Sequence, residues 1–293
     1  MTAAEPTAPV SAGTLRRRCA AEIDRLDPRG AFHERAWLRR VFLAAPREHF
    51  VPARVWWPYP RAEDGRCPAL DRTKAPEVWL NAVYTAAAGL VTRVAPGTDR
   101  PGDGVREEDF DSGMSAPLTV AGMIHHLDPQ VDDSVLEIGT GSGYDAALLA
   151  GRVGADRLVT MEIDAQLAAR AGGRLHELGI RPKVVTGDGA HGYAPRAPYD
   201  RILSTVAVGR VPQSWVDQLA PGGVIVAPLV TPFGRSACLR LVGDGRGHAE
   251  GGPVPGIACR PEPCGPATGF GSYRITVGDG EQHIRFTPTG RPA

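Results

Sequence analysis

The sequence has little lysine, no excess of charge of either sign and no long hydrophobic run. Of its 33 basic residues only Lys74 and Lys183 are lysines, and 33 acidic residues balance the total. Proteins that mainly hold nucleic acid need a basic excess, so we expect no nucleic-acid partner. The longest apolar runs, such as residues 224–230, are far below the ~18 residues that span a bilayer, so we expect no membrane partner. The oligomeric state stays open.

The sequence also lacks a secretory signal and a cysteine framework. Residues 1–10 have neither a basic segment nor an apolar stretch, so we expect a cytoplasmic protein. The cysteines are scattered without a C-x-x-C pair, at Cys19, Cys67, Cys238, Cys259 and Cys264. The last two are near enough to be two metal ligands, but no other His or Cys pair has finger-like spacing. We therefore expect reduced thiols and no metal site.

What the sequence does contain is typical of a globular enzyme with many loops. Its 293 residues allow one large domain or two small ones and are enough to bury a proper core. The hydrophobic share of 42% and the charged share of 23% are ordinary for such a protein. Glycine and proline are abundant, at 36 and 27 residues, which predicts the loops.

The N-terminal part of the sequence suggests a tail, two helices and a long insertion. Residues 1–13 are small, polar and contain proline, which predicts a disordered tail. Helices are predicted over 14–26 and 33–45. Residues 58–112 are irregular and rich in Pro, Gly and Asp, with one strand candidate at 78–84. Because this segment is too long for a simple connecting loop, we expect a substrate-facing lid or insertion.

From Ser115 onward, short apolar strands alternate with helical segments, which indicates βαβ units and a mostly parallel sheet. The predicted helices are 118–127, 144–152, 166–178 and 212–219, and the predicted strands are 134–138, 157–163, 183–186, 200–204 and 223–229. Three later candidates, which we expect as antiparallel strands appended to the sheet, are 237–242, 273–277 and 283–286. The predicted fold is α/β, with a Rossmann-like doubly wound, mostly parallel sheet, antiparallel C-terminal strands and an N-terminal helical region.

These patterns divide the chain into four segments. In order we expect the disordered tail, the helical region with its substrate-side insertion, a Rossmann-like domain and a β-rich extension, at residues 1–13, 14–112, 113–235 and 236–293. The cofactor assignment depends on the third segment.

The most informative stretch is Val135-Leu-Glu-Ile-Gly-Thr-Gly-Ser-Gly-Tyr144, where a predicted strand runs into a glycine-rich turn before a helix. Gly139, Gly141 and Gly143 allow a tight turn and the close approach of a ligand to the backbone. The G-x-G-x-G spacing differs from the G-x-G-x-x-G of dinucleotide sites. Just before the loop, Glu137 would repel a pyrophosphate but suits the ammonium of a methionine moiety.

Two further acidic residues follow the next two predicted strands. Glu162 lies 23 residues after Gly139, where a carboxylate can bind both ribose hydroxyls. Asp188, in Gly187-Asp188-Gly189, can accept a hydrogen bond from the exocyclic amine of adenine. A helix N-cap is the alternative for each acid on its own. Together with the loop, the set predicts S-adenosylmethionine as the cofactor.

Several motifs occur in a fixed order over residues 35–260. Besides the glycine loop they are Phe50-Val-Pro52 after Arg47, Ser115-Ala-Pro117, Gly187-Asp-Gly189, Ala197-Pro-Tyr-Asp-Arg-Ile-Leu203 and Leu219-Ala-Pro-Gly-Gly-Val-Ile-Val-Ala-Pro228. With them the chain resembles the protein-L-isoaspartate O-methyltransferase family, most specifically over 112–230. The resemblance implies a class I S-adenosylmethionine-dependent enzyme that methylates isoaspartyl carboxylates of proteins or peptides, giving an ester that collapses to succinimide.

The resemblance also implies roles for individual residues. The active-site serine of the family's S-A/Q-P motif corresponds to Ser115, which we take as the catalytic candidate. The implied cofactor-binding residues are the loop residues Glu137, Gly139, Thr140, Gly141 and Gly143, the ribose acid Glu162, and the adenine contacts Asp188 and Gly189.

Departures from the family pattern lie on the substrate side. Residues 82–86 read Ala-Val-Tyr-Thr-Ala where the family has A-Y-x-D, and 112–115 read Ser-Gly-Met-Ser where it has Gly-Thr/Gln-Thr-Ile-Ser. Residues 58–112 are longer than the family needs, 265–293 lie beyond its usual end, and 257–261 read Ile-Ala-Cys-Arg-Pro where it has V-x-F-V-P. The chain is thus a divergent member with enlarged substrate-side segments.

These departures leave the substrate open. The main expectation is isoaspartyl residues, and the alternative is an aspartyl O-methyltransferase with one dedicated, ribosomally made peptide. A non-catalytic cofactor-binding protein is disfavoured by the intact serine and loop.

Three other features have two interpretations each. The pair His125-His126 suggests a catalytic or metal site, but surface or cap roles are favoured. Trp56-Trp57 with Tyr59 fits either a peptide groove or core packing. Asp145 is a cap candidate for the helix after the glycine loop.

Overall fold

Two β-sheets organise the chain. The computed structural model describes residues 10–28, 30–58, 65–98, 104–230, 236–254, 257 and 272–287. Within these residues a small antiparallel sheet belongs to the N-terminal half, and a nine-stranded sheet carries the rest. This arrangement confirms the predicted α/β class.

Three helices open the described chain, namely α1 (Ala12–Leu26), α2 (Ala36–Ala44) and α3 (Arg47–Phe50). Helix α1 begins two residues before the predicted start, because the Ser11 hydroxyl accepts a hydrogen bond from the backbone N–H of Thr14 at 3.3 Å and caps the helix. The last two residues of the predicted disordered tail are therefore helical, and residues 1–9 lie outside the described part.

The segment predicted to be irregular contains a four-stranded antiparallel sheet and a helix. The elements are β1 (Arg54–Trp56), β2 (Ala69–Asp71), α4 (Pro76–Val83), β3 (Leu90–Val94) and β4 (Phe110–Met114), with sheet order β2-β1-β3-β4. The strand predicted at 78–84 is wrong, since residues 78–83 belong to α4 and Tyr84 is the C-cap of that helix. Pro76 fits the first turn of a helix, and Trp79, Ala82 and Val83 are buried at helical spacing.

The nine-stranded sheet follows the predicted alternation of strands and helices. Its elements are α5 (Pro117–Leu127), β5 (Val135–Ile138), α6 (Tyr144–Val153), β6 (Leu158–Glu162), α7 (Ala165–Glu177), β7 (Lys183–Thr186), β8 (Tyr199–Ser204), α8 (Gln213–Asp217), β9 (Leu219–Val230), β10 (Ser236–Gly243), β11 (Ala249–Pro253), β12 (Ser272–Gly278) and β13 (Glu281–Thr287). The strand order is β13-β12-β11-β10-β9-β8-β5-β6-β7. Strands β5 to β9 are parallel and the others antiparallel, as predicted.

Both faces of the central parallel strands β5 and β6 are buried, whereas the edge strand β7 is partly exposed. Alternate residues enter two separate cores. Val135 belongs to the core that includes residues of α1, α2, α5 and α6, whereas Leu136 belongs to the core that includes Trp215 of α8. The same alternation separates Val224 from Ile225 in β9.

The strand order reverses direction at β5. The chain passes from β5 outward to β6 and β7, and then returns to place β8 on the other side of β5. In open α/β sheets, ligands bind outside the carboxyl ends of the strands at such a reversal. The glycine-rich loop follows β5 directly, so it lies at that point. Over the described part of the chain, no helix combines the length and apolar character needed to cross a bilayer.

Candidate active site

A cleft of about 380 Å³ lies at the carboxyl end of β5. Five parts of the chain line it, namely Arg93 of β3, residues 111–115 of β4 and its exit, the loop 139–142 with Asp145, three residues at and after the end of β6 (Glu162, Ile163 and Leu167), and Thr205-Val206 after β8. The volume is within the range of roughly 300–1,000 Å³ that small-molecule sites occupy. The cleft therefore lies between the small sheet and the parallel sheet.

The glycine loop leaves room for a ligand and is held firmly in place. Gly141 has a φ of +53° and a Cβ there would meet nothing within 4 Å, so its backbone faces open space. Gly139 has a φ of +92°, and a Cβ there would meet the Thr205 hydroxyl oxygen at 2.5 Å. The N–H groups of Gly139 and Thr140 both donate to the Met161 carbonyl, at 2.8 and 3.0 Å. The loop is thus preorganised by β6 and by the residues after β8.

Glu162 ends β6 and joins the loop to the cleft. Its Oε2 accepts a hydrogen bond from the N–H of Gly141 at 2.8 Å, and its Oε1 accepts one from the N–H of Asp164 at 3.2 Å. The residue is 8% exposed and lines the cleft. Each carboxylate oxygen keeps further acceptor capacity for a ligand hydroxyl.

Glu137 lies next to the loop but is not among the residues that line the cleft, so its contact with an ammonium group stays a prediction. The residue is 0% exposed, and its Oε2 accepts a hydrogen bond from the Thr160 hydroxyl at 2.6 Å. Among described residues its Oε1 has no hydrogen-bond partner. Burial, followed by the nearby Asp145 carboxylate, raises the pKa of Glu137 well above its usual range. The Thr140 hydroxyl, 2.6 Å from that of Thr160, links Glu137 to the loop.

Asp188 and Gly189 follow β7 at the same edge of the sheet but do not line the cleft. Asp188 Oδ1 accepts a hydrogen bond from the N–H of Ala190 at 2.9 Å, which is the capping role considered as its alternative. The N–H of Gly187 donates to the Glu162 carbonyl at 2.9 Å and keeps the two strand ends together. An adenine contact at Asp188-Gly189 stays a prediction.

Ser115 lies between β4 and α5 and lines the cleft with an exposed side chain. Helix α5 has Ala116 as its N-cap and Pro117 in its first turn, so the Ser115 hydroxyl does not cap it. That hydroxyl makes no hydrogen bond to a described residue. It is therefore available to a substrate in the cleft.

A buried arginine that the sequence analysis did not select holds Ser115 in place. Arg47 is 1% exposed, its Nη2 donates to the Ser115 carbonyl at 2.7 Å and its Nε donates to the Val83 carbonyl at 3.0 Å. Its guanidinium carbon is 4.9 Å from the ring centroid of Tyr144, a cation–π distance. The sequence shows that Arg47 precedes the Phe50-Val-Pro52 motif, but it does not show the contacts of Arg47 with distant residues.

A second missed arginine connects the small sheet to the cofactor side. Arg93 of β3 forms an ion pair with Asp111 of β4, and its Nη1 donates to Asp164 Oδ2 at 2.6 Å. Asp164 caps α7 by accepting from the N–H groups of Gln166 and Leu167. Since the N–H of Asp164 also donates to Glu162, Arg93 acts on the residue expected to bind ribose.

Two more cleft residues have properties that the sequence analysis did not foresee. Asp145 is in the first turn of α6, but the N-cap is Gly143 and Asp145 makes no hydrogen bond to a described residue. It lines the cleft, and burial raises its pKa to about 6 while Arg47 opposes the shift. Ile163 lines the cleft with 72% of its surface exposed, which makes a flat apolar contact for a base.

The remaining candidates lie elsewhere. The rings of His125 and His126 are 5.0 Å apart, and His125 lies 3.7 Å from Glu34, outside the cleft. Trp56 is buried in the small sheet's core, while Tyr59 is outside the described residues, as are Cys259 and Cys264. Within the described ranges no group of three or more His, Cys, Asp or Glu side chains could hold a metal ion.

The part of the chain that contains most of the residues lining the cleft is similar to known proteins. Residues 103–244 match the family model of protein-L-isoaspartate(D-aspartate) O-methyltransferase. The chain is 45% identical over 133 residues to protein-L-isoaspartate O-methyltransferase of Azorhizobium caulinodans, which covers 45% of this chain and 60% of the relative. It is 44% identical over 149 residues to the protein of the same name from Methanoculleus marisnigri, which covers 50% and 66%. The chain thus spans less than two thirds of these relatives.

Solved structures show the same fold. A structure named protein-L-isoaspartate O-methyltransferase aligns with a TM-score of 0.59 at 23% identity, covering 82% of this chain and 63% of that one. A Plasmodium falciparum structure described as a putative protein-L-isoaspartate O-methyltransferase in complex with S-adenosyl-L-homocysteine aligns with a TM-score of 0.50 at 13% identity, covering 76% and 89%.

Proposed function

We propose that the chain methylates carboxylates with S-adenosylmethionine, because residues 103–244 match the family model of protein-L-isoaspartate(D-aspartate) O-methyltransferase. The proposed substrates are L-isoaspartyl residues of proteins or peptides. One observation carries the proposal: Ser115 of the S-A-P motif and the glycine loop with Glu162 line a single cleft.

The residues present fit S-adenosylmethionine. Gly141 offers an open backbone for a close approach, and Glu162 offers carboxylate oxygens to two ribose hydroxyls. Ile163 supplies an apolar surface beside Glu162 for the adenine, with Asp188-Gly189 one strand further along the sheet edge. Thr140 and Gly143 hold the loop, and Glu137 supports it from below through Thr160.

The chemistry requires orientation more than proton transfer. A substrate carboxyl group with a pKa near 4 is already ionised at pH 7, so no strong general base is needed. The bound cofactor's sulfonium supplies the methyl group and the leaving group. Ser115 is the orienting hydrogen-bond donor to the substrate carboxylate, and Arg47 fixes its backbone. Holding the reactants together can supply roughly 7–11 kcal/mol in favourable cases.

The ester product accounts for a repair role. The backbone nitrogen of the following residue attacks the ester carbonyl, methanol leaves, and a succinimide ring forms. Water then opens the ring at either carbonyl, which partly restores normal aspartate. This sequence of steps needs no further group from the protein.

A dedicated peptide substrate is the second candidate, and the small sheet favours it. Strands β3 and β4 contribute Arg93 and Asp111 to the wall of the cleft, on the side from which a substrate reaches Ser115. Extra contacts around a site are how an enzyme restricts its partners. Under this candidate the reaction is the same, but the acceptor is an aspartyl residue of one peptide.

The proposed setting is a reducing compartment such as the cytoplasm. Cys19, Cys67 and Cys238 are buried thiols, which supports such a compartment. The proposed partner is a protein or peptide chain with the target carboxylate.

The experiment that tests the proposal follows the transfer of a labelled methyl group from S-adenosylmethionine. Assorted isoaspartyl peptides and their normal aspartyl twins serve as acceptors. We expect label in the isoaspartyl peptides and none in the twins. Inactivity on every isoaspartyl peptide, despite tight cofactor binding, would reject repair in favour of the dedicated peptide.

A further inference from the structure

The carboxylates that line the cleft differ in the hydrogen bonds and ion pairs that they form with the rest of the protein. Asp111 forms an ion pair with Arg93, and Glu162 accepts hydrogen bonds from two backbone N–H groups. Asp145 has neither a hydrogen bond nor an ion pair with any described residue, although it is partly buried. A partly buried carboxylate without a partner is costly, and a ligand that brings a cation would satisfy it.

Arg47, the nearby cation, does not neutralise Asp145 by direct contact. Two of its nitrogens donate to the carbonyls of Val83 and Ser115, and its plane lies against Tyr144. It acts on Asp145 through space and forms no ion pair with it within the described structure. Its Nη1 is buried without a hydrogen-bond partner among the described residues, yet it makes no ion pair with Asp145, so the place beside Asp145 is open to a cation of the ligand.

The order of the strands indicates which part of the cofactor reaches Asp145. Along the sheet edge the order is β7, β6, β5 and β8, with Asp188 after β7 and Glu162 at the end of β6. With adenine at β7 and ribose at β6, the methionine tail extends over β5 toward β8. Asp145 is in the first turn of the helix that follows β5, and Thr205 after β8 lines the same cleft.

We propose that Asp145 binds the ammonium group of the cofactor's methionine tail, the contact that the sequence pattern suggested for Glu137. The inference rests on the proposed function, because it needs S-adenosylmethionine in the cleft. An ionised carboxylate and an ammonium form a charge-assisted hydrogen bond, which is among the stronger kinds. Asp145 is favoured over Glu137 because Asp145 lines the cleft, whereas the side chain of Glu137 is fully buried and is not among the lining residues.

Calorimetry with two ligands tests the proposal. S-adenosylhomocysteine has the adenosine, the sulfur and the amino-acid tail, whereas 5′-methylthioadenosine lacks the tail. For Asp145→Asn we expect S-adenosylhomocysteine to bind about 10- to 100-fold more weakly, in line with the loss of a charged hydrogen bond. Binding of 5′-methylthioadenosine should stay within about twofold of the wild-type value, which also shows that the variant is folded.

The matched control is Asp156→Asn, an exposed acid just beyond the end of α6. It removes the same charge and should leave both affinities unchanged. Equal loss for both ligands, or an unchanged affinity for S-adenosylhomocysteine in Asp145→Asn, overturns the proposal. A loss for S-adenosylmethionine but not for S-adenosylhomocysteine also overturns it, since Asp145 would then act on the sulfonium. If the wild-type protein binds neither cofactor form, the proposed function fails as well.

Discussion

Three acidic residues near the glycine loop differ in their surroundings, and those surroundings decide what each can do. Glu137 is enclosed and its pKa is raised, Glu162 receives two backbone N–H groups, and Asp145 lines the cleft without a partner. Sequence spacing placed Glu137 and Glu162 equally near the cofactor. Their positions along the strands separate them, because Glu137 lies opposite Thr160 inside the sheet, whereas Glu162 ends β6 two residues further on and lines the cleft.

Glu162 is the residue whose loss should affect cofactor binding most simply. Glu162→Ala removes the acceptors for the ribose hydroxyls, and we expect binding of S-adenosylhomocysteine to weaken by ~1–3 kcal/mol. Calorimetry measures this, with Glu281→Ala on the distant strand β13 as the control. Unchanged affinity in Glu162→Ala would remove Glu162 from the site.

Ser115 should affect turnover without affecting the cofactor. Its hydroxyl faces the cleft and caps no helix, so Ser115→Ala removes only the hydrogen bond to the substrate. We expect kcat to fall by about tenfold, as for the loss of one such bond, with cofactor affinity nearly intact. Steady-state kinetics measures kcat, and calorimetry measures the affinity for the cofactor. Full turnover at saturating substrate would show that the serine does not orient the carboxylate.

Asp145 should make the stability of the protein depend on pH in a definite direction. Burial raises its pKa from 3.8 to about 6, so the folded protein holds this proton more tightly than the unfolded chain does. Folding is then favoured where Asp145 is protonated, and the advantage is lost as the pH rises from about 4 through 6. The cost above that window is up to about 3 kcal/mol, since one pKa unit corresponds to ~1.4 kcal/mol.

Asp145→Asn should therefore raise the free energy of unfolding at pH 8 and change it little at pH 4. Denaturant unfolding at both pH values measures the difference, with Asp156→Asn as the control. The same difference at both pH values would show that the effect of the substitution does not come from the charge.

At the scale of elements, the substrate side of the cleft was the hardest part to predict. Residues 78–84 are a short apolar run, which periodicity alone cannot assign to a strand or a helix. In the structure the segment forms helix α4, which is favoured by Pro76 in its first turn and by the burial of Trp79. Strand β1 pairs with β3 over a single register position, Trp56 opposite Val91, so this sheet depends on contacts between distant parts of the chain. No local sequence pattern predicts such long-range contacts.

Arg93 links that sheet to the cofactor side, and Arg93→Met tests the link by replacing the guanidinium with an unbranched, uncharged side chain. It breaks the ion pairs with Asp111 and Asp164, of which Asp164 positions Glu162. Because the pairs are partly exposed, we expect a loss of only about 0.2–1 kcal/mol, or roughly 1.4- to fivefold, in S-adenosylhomocysteine affinity. High salt should reduce the difference between variant and wild type. A difference that is independent of salt would argue against an electrostatic link.

At the scale of the whole molecule, the sequence predicted the parallel sheet well because its signals are local. Each strand from β5 to β9 is a short apolar run beside a helix or turn signal, and the glycine loop marks the reversal of strand order. Strand β11 was not predicted, since Ala249–Pro253 has little β-forming character and becomes a strand by pairing between β10 and β12. Arg47 was missed for the same kind of reason, because its partner Ser115 is far away in the sequence.

The cleft is proposed to transfer a methyl group to an isoaspartyl carboxylate, and mass spectrometry can follow that transfer directly. One isoaspartyl peptide is incubated with the protein and S-adenosylmethionine, beside its aspartyl twin and the Ser115→Ala variant. We expect one added methyl group on the isoaspartyl residue, followed by loss of methanol as the succinimide forms. The twin should stay unchanged, and the variant should methylate more slowly. A methyl group on any other residue, or equal methylation of both peptides, would show that the cleft does not select isoaspartyl carboxylates.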